Sequence, residues 1–349
     1  MRALALAGAL AACGGGGGSK PASPVESAVD ERAAEKDAKG LLTEMFRTID
    51  HGQTDSMFAL LSDPVTVLGP RRGDAMATRA DALVALGKVV DPRAKRHPQL
   101  QSSGLSVAVS QGGRSAWAFD VVRFDGHDVA VTAVLSNAGD LWAVSAAALA
   151  EVATAKQVRA GSARDAIVPP GAAAPAKVAP AAVQVVDDFR KGLLDQDSWG
   201  VELMSQSDAI VAGPTAGEVA RGKQQIRQLW KSRMRAHVRE ATSGEVTAAV
   251  TADGQLAWLS APVTRVADDE APLPLRVFAV YERDGGAWRL IVLHEGLAID
   301  EPGSGAAFKK VLPPAPETPR AEPAAEDKPA STAKAKKKKR RKPPPPSDD

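Results

Sequence analysis

The sequence predicts an α+β protein made of two tandem domains, each with three helices packed on a curved antiparallel sheet. A flexible N-terminal tether and a disordered C-terminal tail flank them. Three observations carry this. First, the chain repeats itself at an offset of about 145 residues. Leu68-Gly69-Pro70 answers Val211-Ala212-Gly213-Pro214, Ser115-Ala116-Trp117-Ala118 answers Leu256-Ala257-Trp258-Leu259, and Asp140-Leu141-Trp142-Ala143-Val144 answers Gly286-Ala287-Trp288-Arg289-Leu290. Four of the six Trp fall in these matched pairs, in a chain with only 4% aromatic residues. Second, each copy passes from helical periodicity to strict alternation. Third, 17 of the 25 Pro lie outside the copies, in stretches where the apolar content is too low to build a core.

In the first copy Leu41, Leu42, Met45, Phe46 and Ile49 form one helical face, 55–61 reads as a short second helix and 65–68 as a strand. A third helix covers 80–90, capped near Thr78. Leu105, Val107 and Val109 alternate as a strand. The runs 115–124 and 128–135 flank the hairpin signal Asp125-Gly126, and a last strand covers 141–145. In the second copy Val183, Val186, Phe189, Leu193 and Leu194 give the first helix, 199–204 the second, and Ile226, Leu229, Trp230 and Met234 the third. A strand at 209–212 precedes the third helix, and strands at 246–250, 255–266, 275–283 and 287–293 follow it, the last two joined by Asp284-Gly285-Gly286. The expected boundaries are 33–158 for the first domain, 159–181 for a Pro/Ala-rich linker, 182–301 for the second domain and 302–349 for the tail.

The second copy resembles the SnoaL-like branch of the nuclear transport factor 2 (NTF2-like) superfamily. The stretches that carry the resemblance are Asp253-Gly254, Ala257-Trp258, Pro274-Leu275-Arg276, Tyr281-Glu282-Arg283 and Gly286-Ala287-Trp288-Arg289-Leu290, ending in His294. It covers 182–299 directly and 33–152 through the internal repeat. The resemblance implies cone-shaped domains whose sheet wraps the helices around a cavity. It also implies dimerisation through the outer sheet face, here met by the two copies pairing as a pseudo-dimer within one chain. The family includes enzymes and binders, so the fold leaves activity open.

No phosphate-binding Gly loop, nucleophile elbow or metal-ligand spacing is present, and His51, His97, His127, His237 and His294 stand apart, so no metal and no cofactor is expected. By alternation Trp288, Leu290, Val292 and His294 share one face. If that face lines the cone, His294 is the candidate catalytic base or hydrogen-bond donor, with a structural His bonded to backbone at the sheet edge as the plainer reading. The first copy has Ala148 at this position. Trp199, Trp230, Arg276 and Tyr281 complete the pocket candidates for a small hydrophobic ligand, with core packing as the plainer reading of the aromatics.

Met1-Arg2, a short apolar run and Leu10-Ala11-Ala12-Cys13 read as an export signal over 1–12, and the tetrapeptide resembles a bacterial lipobox. The resemblance implies lipidation of Cys13, the chain's one Cys, with 13–32 as a Gly-rich tether. Residue 14 is not Asp, which implies the outer membrane, facing the periplasm. The tail carries Lys334, Lys336, Lys337, Lys338, Lys339, Arg340, Arg341 and Lys342, eight positive charges in nine residues. From 303 onward twelve basic and six acidic residues give +6, so the body holds −4 of the formal +2. In the envelope such a run meets anionic lipid, lipopolysaccharide or cell wall, whereas in the cytoplasm it would bind nucleic acid. The leading reading is a cell-envelope lipoprotein that binds a ligand or a protein without catalysis. A SnoaL-like enzyme (hydrolase, isomerase or cyclase) or small-molecule carrier is the alternative, and a cytoplasmic nucleic-acid binder acting through the tail the third.

Overall fold

The computed structural model describes residues 30–69, 75–89, 99–124, 126–139, 141–154, 156–158, 176–268 and 272–297. Cys13, the basic run 334–342 and residues 159–175 lie outside them. Two helix-and-sheet units follow one another, and the α+β class holds in both. Among the described residues no helix is long and apolar enough to cross a membrane.

The first domain opens with α1 (Glu31–Asp50), whose N-cap Asp30 accepts from the Arg32 backbone N–H at 3.1 Å. The expected short second helix is a 3-10 helix (Thr54–Leu60). It leads into β1 (Leu61–Leu68), β2 (Ala75–Met76) and α2 (Arg79–Val89). The strands β3 (Leu100–Ser102), β4 (Ser106–Val109), β5 (Ser115–Phe124), β6 (His127–Ala138) and β7 (Leu141–Glu151) complete a seven-stranded sheet. Its order is β2-β1-β7-β6-β5-β3, with β4 also on β5. The meander β5-β6-β7 is antiparallel as expected, but β1 adds to β7 in parallel.

The second domain repeats this plan. Ala176–Val178, inside the stretch read as linker, is a strand (β8) that pairs in parallel with residues 246–248. After it come α3 (Val183–Leu194), α4 (Gln196–Ser205), β9 (Ile210–Ala212), β10 (Val219–Arg221) and α5 (Gly222–Arg235). Then β11 (Arg239–Thr242), β12 (Val246–Val250), β13 (Leu256–Val266), β14 (Leu273–Asp284) and β15 (Ala287–Leu297) close an eight-stranded sheet. The very short strands β2, β3, β8, β10 and β11 are too brief to show an alternation in sequence.

Each sheet buries both faces. The inner face of the second sheet packs on its helices through Phe189, Trp199, Trp230, Leu259, Tyr281 and Leu290. Its outer face packs against the outer face of the first sheet. There Trp117, Phe119, Val134 and Ala148 meet Trp258, Phe278, Val280 and Val292 in one apolar cluster. Polar contacts cross the same seam: Ser115 Oγ donates to Asp253 Oδ2 at 2.7 Å, and Arg276 Nη1 to the Gly69 carbonyl at 2.6 Å. Close approach requires small residues. A Cβ on Gly296 would lie 2.5 Å from Ala150 Cβ of the first domain.

Candidate functional site

The five pocket candidates split between the two faces of the second sheet. Trp199, Trp230 and Tyr281 are inner-face core. Trp199 lies against Gly192, where an added Cβ would overlap its ring, and Trp230 lies against Gly200 in the same way. The indole N–H of Trp230 donates to the Gln196 carbonyl at 2.9 Å. The Tyr281 hydroxyl is buried without a hydrogen-bond partner. Burial, then the charges of Glu202 and Asp188, push its pKa well up. These aromatics fill the cone rather than rim a cavity.

Arg276 and His294 point the other way, into the seam. His294 is buried with Nδ1 3.0 Å from Thr132 Oγ1 of the first domain and its ring edge-on to Phe119, 6.2 Å between centroids. Its Nε2 has no partner. Burial pulls its pKa down to about 4 despite the Glu295 charge beside it, so the ring is neutral. The expected shared face of Trp288, Leu290, Val292 and His294 is therefore corrected, and the cause is a β-bulge. Leu290 pairs with Tyr281 and Val292 with Val280, leaving Ile291 unopposed. One extra residue flips the alternation, so Trp288 and Leu290 face the helices while Val292 and His294 face the first domain.

The same flip turns Glu295 inward, where it anchors a buried ionic network. Arg233, in the last turn of α5, donates to both Glu295 oxygens, Nη1 at 2.9 Å and Nη2 at 2.5 Å. Arg265 on β13 donates from Nε to Glu240 at 2.8 Å, from Nη1 to Glu218 at 2.9 Å, and from Nη2 to Glu295. Register explains the meeting, since Glu240 on β11 lies opposite Arg265. Glu218 is held by a capping box in which the Thr215 hydroxyl and backbone N–H donate to its Oε2. Glu295, Glu240, Arg233 and Arg265 are all buried, while Glu218 is partly exposed.

Burial would raise the pKa of Glu295, but Arg233 and Arg265 outweigh it and hold the carboxyl below the usual carboxylate range. Glu240 goes up, pushed by burial and then by the Glu295 charge. Burial opposes the Arg265 cation, yet Glu295, Glu240 and Glu218 together raise its pKa. The network forms the floor of an open cleft of about 640 Å³. Arg233, Arg265 and Glu218 reach its lining, Gln225, Gln228 and Ser232 of α5 add hydrogen-bonding groups, and Leu229, Val219 and Val238 add apolar surface. None of these residues except Leu229 was singled out from sequence. The available signal was a charge on an apolar strand: Glu295 between Leu293 and Leu297, and Arg265 between Val263 and Ala267.

Residues 195–300 match the family model of the SnoaL-like domain. No curated protein matches. Among solved structures, an NTF2-like protein of unknown function from Pseudomonas putida KT2440 is 13% identical, with 36% of this chain and 92% of that one covered and a TM-score of 0.33. A putative dehydratase of the NTF2-like family from Streptomyces avermitilis is 14% identical over 35% of this chain and 99% of that one, with a TM-score of 0.31. A putative scytalone dehydratase from Novosphingobium aromaticivorans is 11% identical over 35% and 86%, with a TM-score of 0.30.

Proposed function

We propose that this chain is a non-catalytic binding protein of the cell envelope whose second, SnoaL-like domain holds a small polar molecule in the cleft above the Glu295 network. The observation that carries the reading is the spent state of the ions there. Every Arg265 nitrogen and both terminal nitrogens of Arg233 already donate to carboxylates, and Glu295 is held ionised by two guanidiniums. Groups so engaged make a fixed polar wall rather than a proton shuttle. Two guanidiniums meet three carboxylates, of which Glu240 is pushed toward its neutral form, so the matching ligand is neutral, with hydroxyl or carbonyl groups for Gln225, Gln228 and Ser232.

A fragment screen by ligand-observed NMR tests this. Neutral hydroxylated or carbonyl fragments are expected to bind the wild type and to be lost in Ser232→Trp, which blocks the cleft from an exposed helix position. Hits that persist in the variant, or any hit that is chemically converted, overturn the reading. In this proposal the first domain serves as the partner that a second chain would otherwise supply, so light scattering should give the monomer mass, and twice that mass contradicts it. The address rests on the lipobox-like segment. A fatty acid label incorporated by the wild type and absent in Cys13→Ser supports it, with the basic tail then lying against anionic envelope surfaces.

A further inference from the structure

We propose that a second site, the groove between the two domains, binds a small oxyanion, the carboxylate or phosphate group of a small molecule, on Arg221. This site is separate from the cleft of the second domain and does not depend on it. Arg221 ends β10 and reaches across to the first domain. Its Nη1 donates to the Gly104 carbonyl at 2.8 Å and to Ser106 Oγ at 2.5 Å, and its guanidinium lies 5.0 Å from the centroid of the Phe119 ring. All three partners are neutral. Arg233 and Arg265, in the same domain, are both matched with carboxylates.

The carboxylate whose charge reaches Arg221 is Asp120, and it is occupied elsewhere. It accepts from Ser102 Oγ at 2.5 Å, Ser103 Oγ at 3.4 Å and the Gly104 backbone N–H at 3.1 Å. Burial lowers the pKa of Arg221, the mark of a cation short of both water and counter-ion. A guanidinium presents more donors than the one Nη1 group used here, in a fork that fits two oxygens of one anion.

The space is present. The groove measures about 430 Å³ and is walled by Leu105, Ser106, Val107 and Trp117 of the first domain and Ile210 and Arg221 of the second. Trp117 is 2% exposed and its indole N–H has no hydrogen-bond partner. On the rim Lys39 adds a cation, while Glu35 and Asp208 add two anions. That alternation favours a small anion seated at Arg221 over a polyanion laid along the groove.

The test titrates the full chain with sodium phosphate and, separately, with sodium succinate at constant ionic strength, following the assigned indole N–H resonances of Trp117 and Trp230. Ions gathered by the basic tail leave both resonances unmoved. The expected result is a saturable shift at Trp117 with Trp230 still, with phosphate or succinate as the better probe according to the group preferred. Arg221→Gln is expected to weaken binding about tenfold or more, the loss of a charge-assisted pair. A Trp117 resonance that stays still with both anions overturns the proposal. So does a shift at Trp230 alone, which places the anion in the cleft, and so does unchanged affinity in Arg221→Gln. Should that variant not fold, the wild-type titration decides alone.

Discussion

The two domains place opposite chemistry at matching positions of one fold. In the second, Glu240 and Arg265 face each other across β11 and β13, and Glu295 joins them from β15. In the first, the same register puts Leu100 opposite Phe124, with Leu149 on β7 beside them. Phe46 and Ile49 of α1 pack on this apolar set. The fold thus closes without ions, and the second domain carries them in addition. Buried ion networks of this kind are often no more stable than apolar replacements of similar size. The difference therefore points away from stability and toward the cleft that the charged set floors.

The largest expected effect comes from breaking the network on one side. Glu295→Ala leaves two buried guanidiniums without their shared carboxylate, and urea unfolding should show a loss of about 3–5 kcal/mol. The matching change in the first domain, Leu149→Ala, removes only apolar packing at a partly buried site, about 2 kcal/mol. Equal losses would break the comparison.

Next is the proton dependence of the seam, where His294 stands opposite the first domain and Ala148 holds the equivalent position. The His294 pKa is about 4 in the folded protein against 6.5 for a free side chain, so the unfolded chain takes up the proton first. Its contribution is full above pH 6.5 and is lost as pH falls toward 4, up to about 3 kcal/mol. His294→Ala should remove this slope, read as the stability difference between the two proteins across that range. A constant difference contradicts the neutral, buried ring.

Gly296→Ala presses a methyl onto Ala150 across the seam and should cost about 1–3 kcal/mol in the same assay. Smallest of all are the exposed hairpin pairs, Arg123 with Asp128 in the first domain and Arg289 with Asp284 in the second. Substituting either Arg by Gln should leave the unfolding midpoint unchanged, since solvent screens such pairs.

Much of the architecture was legible in sequence because long strands and amphipathic helices write a period. The Trp117/Trp258 and Trp142/Trp288 pairs fixed the duplication, and the Asp125-Gly126 and Asp284-Gly285-Gly286 turns marked the hairpins. The site was not legible, for a local reason. Alternation assigns faces only while pairing is regular, and the unopposed Ile291 reverses every face after it. Reading through the bulge put His294 inside the cone and hid Glu295. Glu240 and Glu218 lie on or beside strands of four and three residues, too short to give a phase. The role of Trp199 and Trp230 as fillers depends on Gly192 and Gly200, contacts that no periodicity encodes.

In the function proposed above, the buried ions of the second domain serve the cleft and not the fold. Grafting the first domain's residues into it, as Glu240→Leu, Arg265→Phe and Glu295→Leu, together with Arg233→Met so that no buried guanidinium is left unmatched, tests this by urea unfolding alongside fragment binding. The expected result is a folded protein of unchanged or higher stability, by up to about 4 kcal/mol, that no longer binds the fragments held by the wild type. A graft that unfolds, or that folds and still binds them, contradicts the account.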